Sequence, residues 1–121
     1  MIDLGQKLSK KIYYREQKSL GAAFSKRCRD AAPYPLKPSD QLRRLIYEWV
    51  RSTSQPTFLE SDASQGQFPG LQEALGQRSS LSVQPSLWTA FEGRCLLAMV
   101  DESEQIRRLK AAYLQKKDPR S

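Results

Sequence analysis

Apolar positions recur at helical spacing in several stretches of this chain. The cleanest runs through Leu42, Leu45, Ile46, Trp49 and Val50, at i, i+3, i+4, i+7 and i+8. That spacing lines one face of a helix with core residues, and Ser39 or Asp40 can cap its start. Near the N-terminus, Leu4, Leu8 and Ile12 fall at i, i+4 and i+8, which predicts a helix over 2–18. Ser19 and Gly21 weaken helical order beyond it, and a second short helix is expected through Ala22, Ala23, Phe24 and Cys28. Pro33, Pro35 and Pro38 then interrupt the chain, because each removes a backbone donor and fixes φ. Further on, Ser86 can cap a helix from Leu87 to about Val100. Trp88, Phe91, Cys95, Leu96, Leu97, Met99 and Val100 make it apolar around most of its circumference, with Gly93 as a weak point. Such a helix is central and buried, or half of an interface. Asp101 with Glu104 has the spacing of a capping box and opens a last helix through Ile106, Leu109, Tyr113 and Leu114.

Residues 52–86 break the pattern. They hold eight Ser and six Gln in 35 positions and are punctuated by Pro56, Gly66, Pro69, Gly70, Gly76 and Pro85. A long loop is expected there, with a short helix at Leu71–Leu75 and Thr57-Phe58-Leu59 either extended or pinned to the core. The predicted architecture is all-α: one domain over 1–121, a small bundle of about five helices with one long Ser/Gln-rich loop. Its parts are a basic helical segment (1–31), a Pro-rich connector (32–38), a helix (39–54), the loop-rich segment (55–86) and a C-terminal helical pair (87–118), ending in a frayed tail.

Charge changes the picture most. A net +7 arises from 20 basic and 13 acidic side chains. Residues 1–29 alone carry +6, whereas 55–100 carry −2. An uneven positive balance of this kind calls for an anionic partner. On the predicted N-terminal helix Lys7, Lys11, Arg15 and Lys18 cluster within about 80° of arc beside Tyr14. Lys26 and Arg27 continue the basic side, and Arg43, Arg44, Arg51 and Tyr47 form a second group on the next helix. Lysine supplies charge, arginine bidentate contacts and tyrosine a stacking surface, the combination that nucleic-acid backbones and bases require. Few acids interleave these faces: Glu16 and Glu48, with Asp3 and Asp40 near the helix starts.

Candidate chemistry is thin. No histidine is present, which excludes histidine-activated nucleophiles, HExxH zinc sites and histidine switches. Cys28 and Cys95 stand 67 positions apart and read as buried small hydrophobes. Glu60/Asp62 and Asp101/Glu102/Glu104 are adjacent in sequence, as caps and loop solvation are, rather than converging from separate elements. Gly70 and Gly76 lack the spacing and lysine of a phosphate loop. Leu71–Ser79 has the outline of a helix-turn-helix turn, but Gln77 occupies an apolar position, Pro85 interrupts the second helix, and the segment lies in the net-acidic part of the chain.

The expected function is therefore that of a non-catalytic, cytoplasmic accessory protein without metal or cofactor. It would bind RNA or single-stranded DNA through phosphate contacts inside a larger assembly, touching other protein subunits through Trp88, Leu96 and Met99. Neither a membrane nor a small-molecule substrate is expected. Small helical subunits of RNA-guided CRISPR-type effector complexes are similar in size, charge and lack of catalysis, a similarity of general character without a shared motif. The alternative is an adaptor, or a phage- or plasmid-type regulator, whose basic faces dock on an acidic protein.

Overall fold

The computed structural model describes residues 2–31, 34–52 and 74–115. Its elements are β1 (Lys10–Glu16), α1 (Lys18–Arg29), α2 (Pro38–Arg51), β2 (Gln77–Val83), α3 (Pro85–Ala98) and α4 (Glu102–Leu114). The strands form a two-stranded antiparallel ribbon running from Lys10 opposite Val83 to Glu16 opposite Gln77. Helices cover one face of it. Ile12, Tyr14, Leu81 and Val83 from the ribbon join Phe24, Ile46, Trp49, Phe91, Ile106 and Tyr113 from the helices in one core.

The all-α, five-helix expectation is corrected: among the described residues there are four helices and a ribbon. The helix over 2–18 gives way to β1, a strand along which burial alternates with a period of two. Ile12, Tyr14 and Glu16 are buried while Lys11, Tyr13 and Arg15 are exposed. β-Branched and aromatic side chains favour such a half-buried pleated surface. Leu4 and Leu8 remain 48% and 43% exposed, so the supposed helical stripe is not a buried face. Part of the expected loop becomes β2, where Leu81 and Val83 alternate with Ser80 and Ser82. Thr57-Phe58-Leu59 and the C-terminal tail lie outside the described residues, as does most of the short helix expected at 71–75; Ala74 and Leu75 are not helical.

The helices follow their apolar stripes. In α2, Leu42, Leu45, Ile46 and Trp49 are buried as the spacing requires. Burial of side chains this size stabilises by about 1.5–3 kcal/mol each. Both α2 and α3 begin with proline in the first turn, so their starts precede Ser39 and Ser86, the expected caps. The N-terminal segment supplies what α3 lacks: Ser86 N–H donates to Gln6 Oε1 (2.9 Å), and Asp3 N–H donates to Ser86 Oγ (2.9 Å). Asp101 does cap α4, accepting from Ser103 N–H at 3.0 Å. α3 ends in a Schellman turn, with Val100 N–H on Cys95 O (3.0 Å) and Met99 N–H on Leu96 O (3.2 Å). Met99 holds the left-handed position (φ 57°) that glycine usually fills.

Gly21, in the interior of α1, has a steric reason. A Cβ there would lie 2.8 Å from Glu16 Oε2 and 3.1 Å from Gln77 Nε2. The helix gives up about 1 kcal/mol of propensity to let the end of the ribbon lie against it.

Candidate nucleic-acid interface

The outer face of the ribbon is set by its register. Lys11, Tyr13 and Arg15 of β1 oppose Ser82, Ser80 and Arg78 of β2, with their side chains away from the core. Two carbonyls show which kind of pairs these are. Arg15 O accepts from Arg107 Nη1 of α4 (2.9 Å), and Ser82 O accepts from Arg43 Nη1 of α2 (2.8 Å). Both carbonyls therefore face away from the neighbouring strand, so the outer-face residues form the non-hydrogen-bonded pairs, whose side chains stand closest. The same two guanidinium groups occupy one carbonyl on each open edge of the ribbon.

Arg15 thus stands directly opposite Arg78. The Arg78 guanidinium lies 4.5 Å from the centre of the Tyr13 ring and the Lys11 ammonium 5.8 Å from it. Tyr13 as a residue is 54% exposed. Three cations share the outer face with Tyr13, two of them against its ring, and no carboxylate occupies any of the six outer positions. Like charges facing each other across a strand pair destabilise it. The ion pairs among the described residues lie elsewhere: Arg43–Asp40, Arg44–Glu48, Arg108–Glu104 and Lys110–Glu16. A shallow cavity of about 260 Å³ adjoins the face, lined by Tyr13, Arg78, Ser79 and Ser80.

On the inner face the charges are matched. Lys110 Nζ of α4 donates to Glu16 Oε1 (2.7 Å) and to the Tyr14 hydroxyl (2.8 Å). Ser79 Oγ donates to Glu16 Oε2 at 2.6 Å, and Gln77 Nε2 approaches the same oxygen at 3.4 Å. The Lys110 ammonium also lies 4.9 Å and 5.0 Å from the Tyr14 and Phe24 ring centres. Burial raises the Tyr14 phenol above its ordinary value, with Lys110 pulling the other way. This network joins both strands to α4 and holds the outer face in register.

The residues expected to bind nucleic acid are dispersed by this arrangement. Lys11 and Arg15 share the outer face, but Tyr14, only 6% exposed, is turned into the core by the alternation and cannot stack on a ligand. Tyr13 has the accessible ring instead. Lys7 is exposed ahead of β1, Lys18 begins α1, and Lys26 is exposed further along it. Arg27 is half-buried and donates to Leu114 O at 3.2 Å. On α2, Arg43 and Arg44 have carboxylates on their own helix, and Arg51 Nη1 donates to the Tyr47 hydroxyl at 3.1 Å. Helical spacing does not single out Tyr13 or Arg78. Ser80–Val83 does alternate polar and apolar residues, but Ile12, Tyr13 and Tyr14 are consecutive, so it is the strand pairing that sets Tyr13 and Arg78 on the outer face.

At the expected protein interface, Trp88 is corrected. It is 9% exposed, packing against Phe91 with ring centres 5.1 Å apart. Leu96 and Met99 are 77% and 92% exposed. Cys28 and Cys95 are buried free thiols. Burial raises both, and Cys95, with Glu102, Asp101 and Glu92 adding to the effect, is pushed up to about 12. Among the described residues no group of three or more Cys, Asp or Glu is placed to hold a metal ion, and no helix is long and apolar enough to cross a membrane. No protein-family model, curated protein or solved structure matches this chain.

Proposed function

We propose that this protein binds nucleic acid, without catalysis, through the outer face of its β-ribbon. The observation that carries this reading is the Arg15–Arg78 pair, two exposed cations held opposite each other, Arg78 beside the Tyr13 ring, with no carboxylate at any of the six outer strand positions. A phosphate placed between the two guanidinium groups relieves their repulsion and accepts hydrogen bonds from both. Lys11 adds a point charge, and Tyr13 offers a surface for a base or sugar. Contacts of this type position a strand without reading its sequence, which suits a cytoplasmic accessory protein acting inside a larger nucleoprotein assembly. The exposed Leu96, Leu97 and Met99 at the end of α3 are the apolar surface such an assembly would cover. The adaptor reading has less support, since Arg43 and Arg44 already have acidic partners on α2.

A salt titration of binding to single- and double-stranded oligonucleotides tests this. Three engaged cations give a slope of about −2 in log affinity against log salt for a single strand. Replacing Arg15 and Arg78 with alanine should weaken binding to all sequences alike and flatten that slope by roughly 1.4. An unchanged slope in this variant would refute the assignment of the face.

A further inference from the structure

A second, larger cavity of about 400 Å³ opens beneath the ribbon, between β2, α1 and the start of α2. It touches the outer-face site at one place. Ser79 and Ser80 line both cavities, so the two meet at the outer edge of β2. The walls are of two kinds. Phe24, Leu42 and Leu81 are apolar, while Ser25, Ser39 and Gln77 offer neutral donors and acceptors.

Charge selects the class of ligand. Lys110 reaches the cavity with its ammonium already paired to Glu16 and bonded to Tyr14, so it offers no uncompensated charge to an anion. Both Glu16 oxygens already accept hydrogen bonds, from Lys110 on one side and from Ser79 and Gln77 on the other, which leaves little for a cation. What remains suits an uncharged planar group with apolar faces and a hydrogen-bonding rim. A nucleobase has that form, and its phosphate would lie on the charged side of the same strand edge. We infer that the cavity receives an unpaired nucleobase of a strand whose backbone is held by Arg15, Arg78 and Lys11. This inference rests on the nucleic-acid reading above and makes the preferred ligand single-stranded, because a base inside a duplex cannot leave the stack without loss of pairing and stacking.

The test compares wild type, the Lys11→Ala/Arg15→Ala/Arg78→Ala face variant, and two cavity-filling variants, Ser25→Leu and Ser39→Leu. Two fillings on different helices guard against one that fails to fold. The probes are a single-stranded oligonucleotide carrying 2-aminopurine, a duplex of the same sequence, and free nucleosides. Wild type should prefer the single strand and change the 2-aminopurine fluorescence. The fillings should lower single-strand affinity about tenfold, abolish the fluorescence change and leave duplex binding within about twofold. Binding that is equal for both strand types, or unaffected by both fillings, would overturn the base pocket while leaving the charged face standing. Free nucleosides binding wild type and the face variant as tightly as the strand binds wild type would overturn the strand as the source of the base. Failure of wild type to bind either oligonucleotide would overturn the function of the face, and the base pocket with it.

Discussion

The two faces of the ribbon carry charge in opposite ways. On the inner face, Glu16 and Lys110 are 2% and 5% exposed, and each bonds to the other and to further neighbours. On the outer face, Lys11 and Arg78 lie against the Tyr13 ring and Arg15 stands opposite Arg78, with no carboxylate among the six outer positions. Burial explains the first arrangement, since a charge removed from water must find its partner within the protein. Water and salt permit the second, so stability does not require those cations to be where they are. Side by side, the inner face serves the fold and the outer face is available to a ligand.

Breaking the inner face should have the largest effect. Lys110→Met leaves the Glu16 carboxylate buried without its cation and should cost about 3–5 kcal/mol in urea unfolding. The double variant Glu16→Met/Lys110→Met should recover much of that loss, because no buried charge then remains. A double variant as unstable as the single one would show that shape, not charge, makes the cluster matter.

High pH attacks the same interior. Unfolding returns Tyr14 and Cys95 from raised values toward their ordinary 10.0 and 9.0. The unfolded chain therefore loses these protons first, and stability is fully present below about pH 9 and falls as pH rises toward 12. The urea midpoint should decline across that window, and Tyr14→Phe should remove part of the decline. A midpoint independent of pH from 8 to 11 would contradict the burial of these groups.

Gly21→Ala sets propensity against space. In an exposed helix the change gains about 1 kcal/mol, yet here the new methyl meets Glu16 Oε2 at 2.8 Å. A net loss of about 1–3 kcal/mol is expected, and a stabilised variant would show that the Glu16 side chain yields easily.

The smallest stability change belongs to the outer face. Arg78→Ser should leave stability within about 0.5 kcal/mol of wild type, or raise it slightly by removing the opposed charge. Nucleic-acid binding should fall at the same time. A large loss of stability would mean that Arg78 serves the fold, and the contrast between the faces would collapse.

Much of the helical part was legible in the sequence, and the ribbon was not. The i, i+3, i+4, i+7 spacing of Leu42, Leu45, Ile46 and Trp49 specifies a helix and its buried side locally, as does Asp101 ahead of α4. The absence of histidine and the positive excess before residue 30 are likewise properties of composition, independent of fold. Strand pairing is not local. Glu16 and Gln77 are 61 positions apart, and neither segment shows alone that the other will complete its hydrogen bonds. A helix over 2–18 would set Lys7, Lys11, Arg15 and Lys18 on one face with Tyr14. Once the chain extends, period two sends Tyr14 inward, brings Tyr13 outward and sets Arg78 across from Arg15. The sequence by itself determined that this protein is basic, partly helical and without histidine chemistry, because those depend on residue type and near-neighbour spacing. Tertiary contacts were needed to pair Lys110 with Glu16 and to set Arg78 opposite Arg15, because those side chains come together from distant parts of the chain, whereas the Arg43, Arg44 and Arg108 ion pairs are local to their helices.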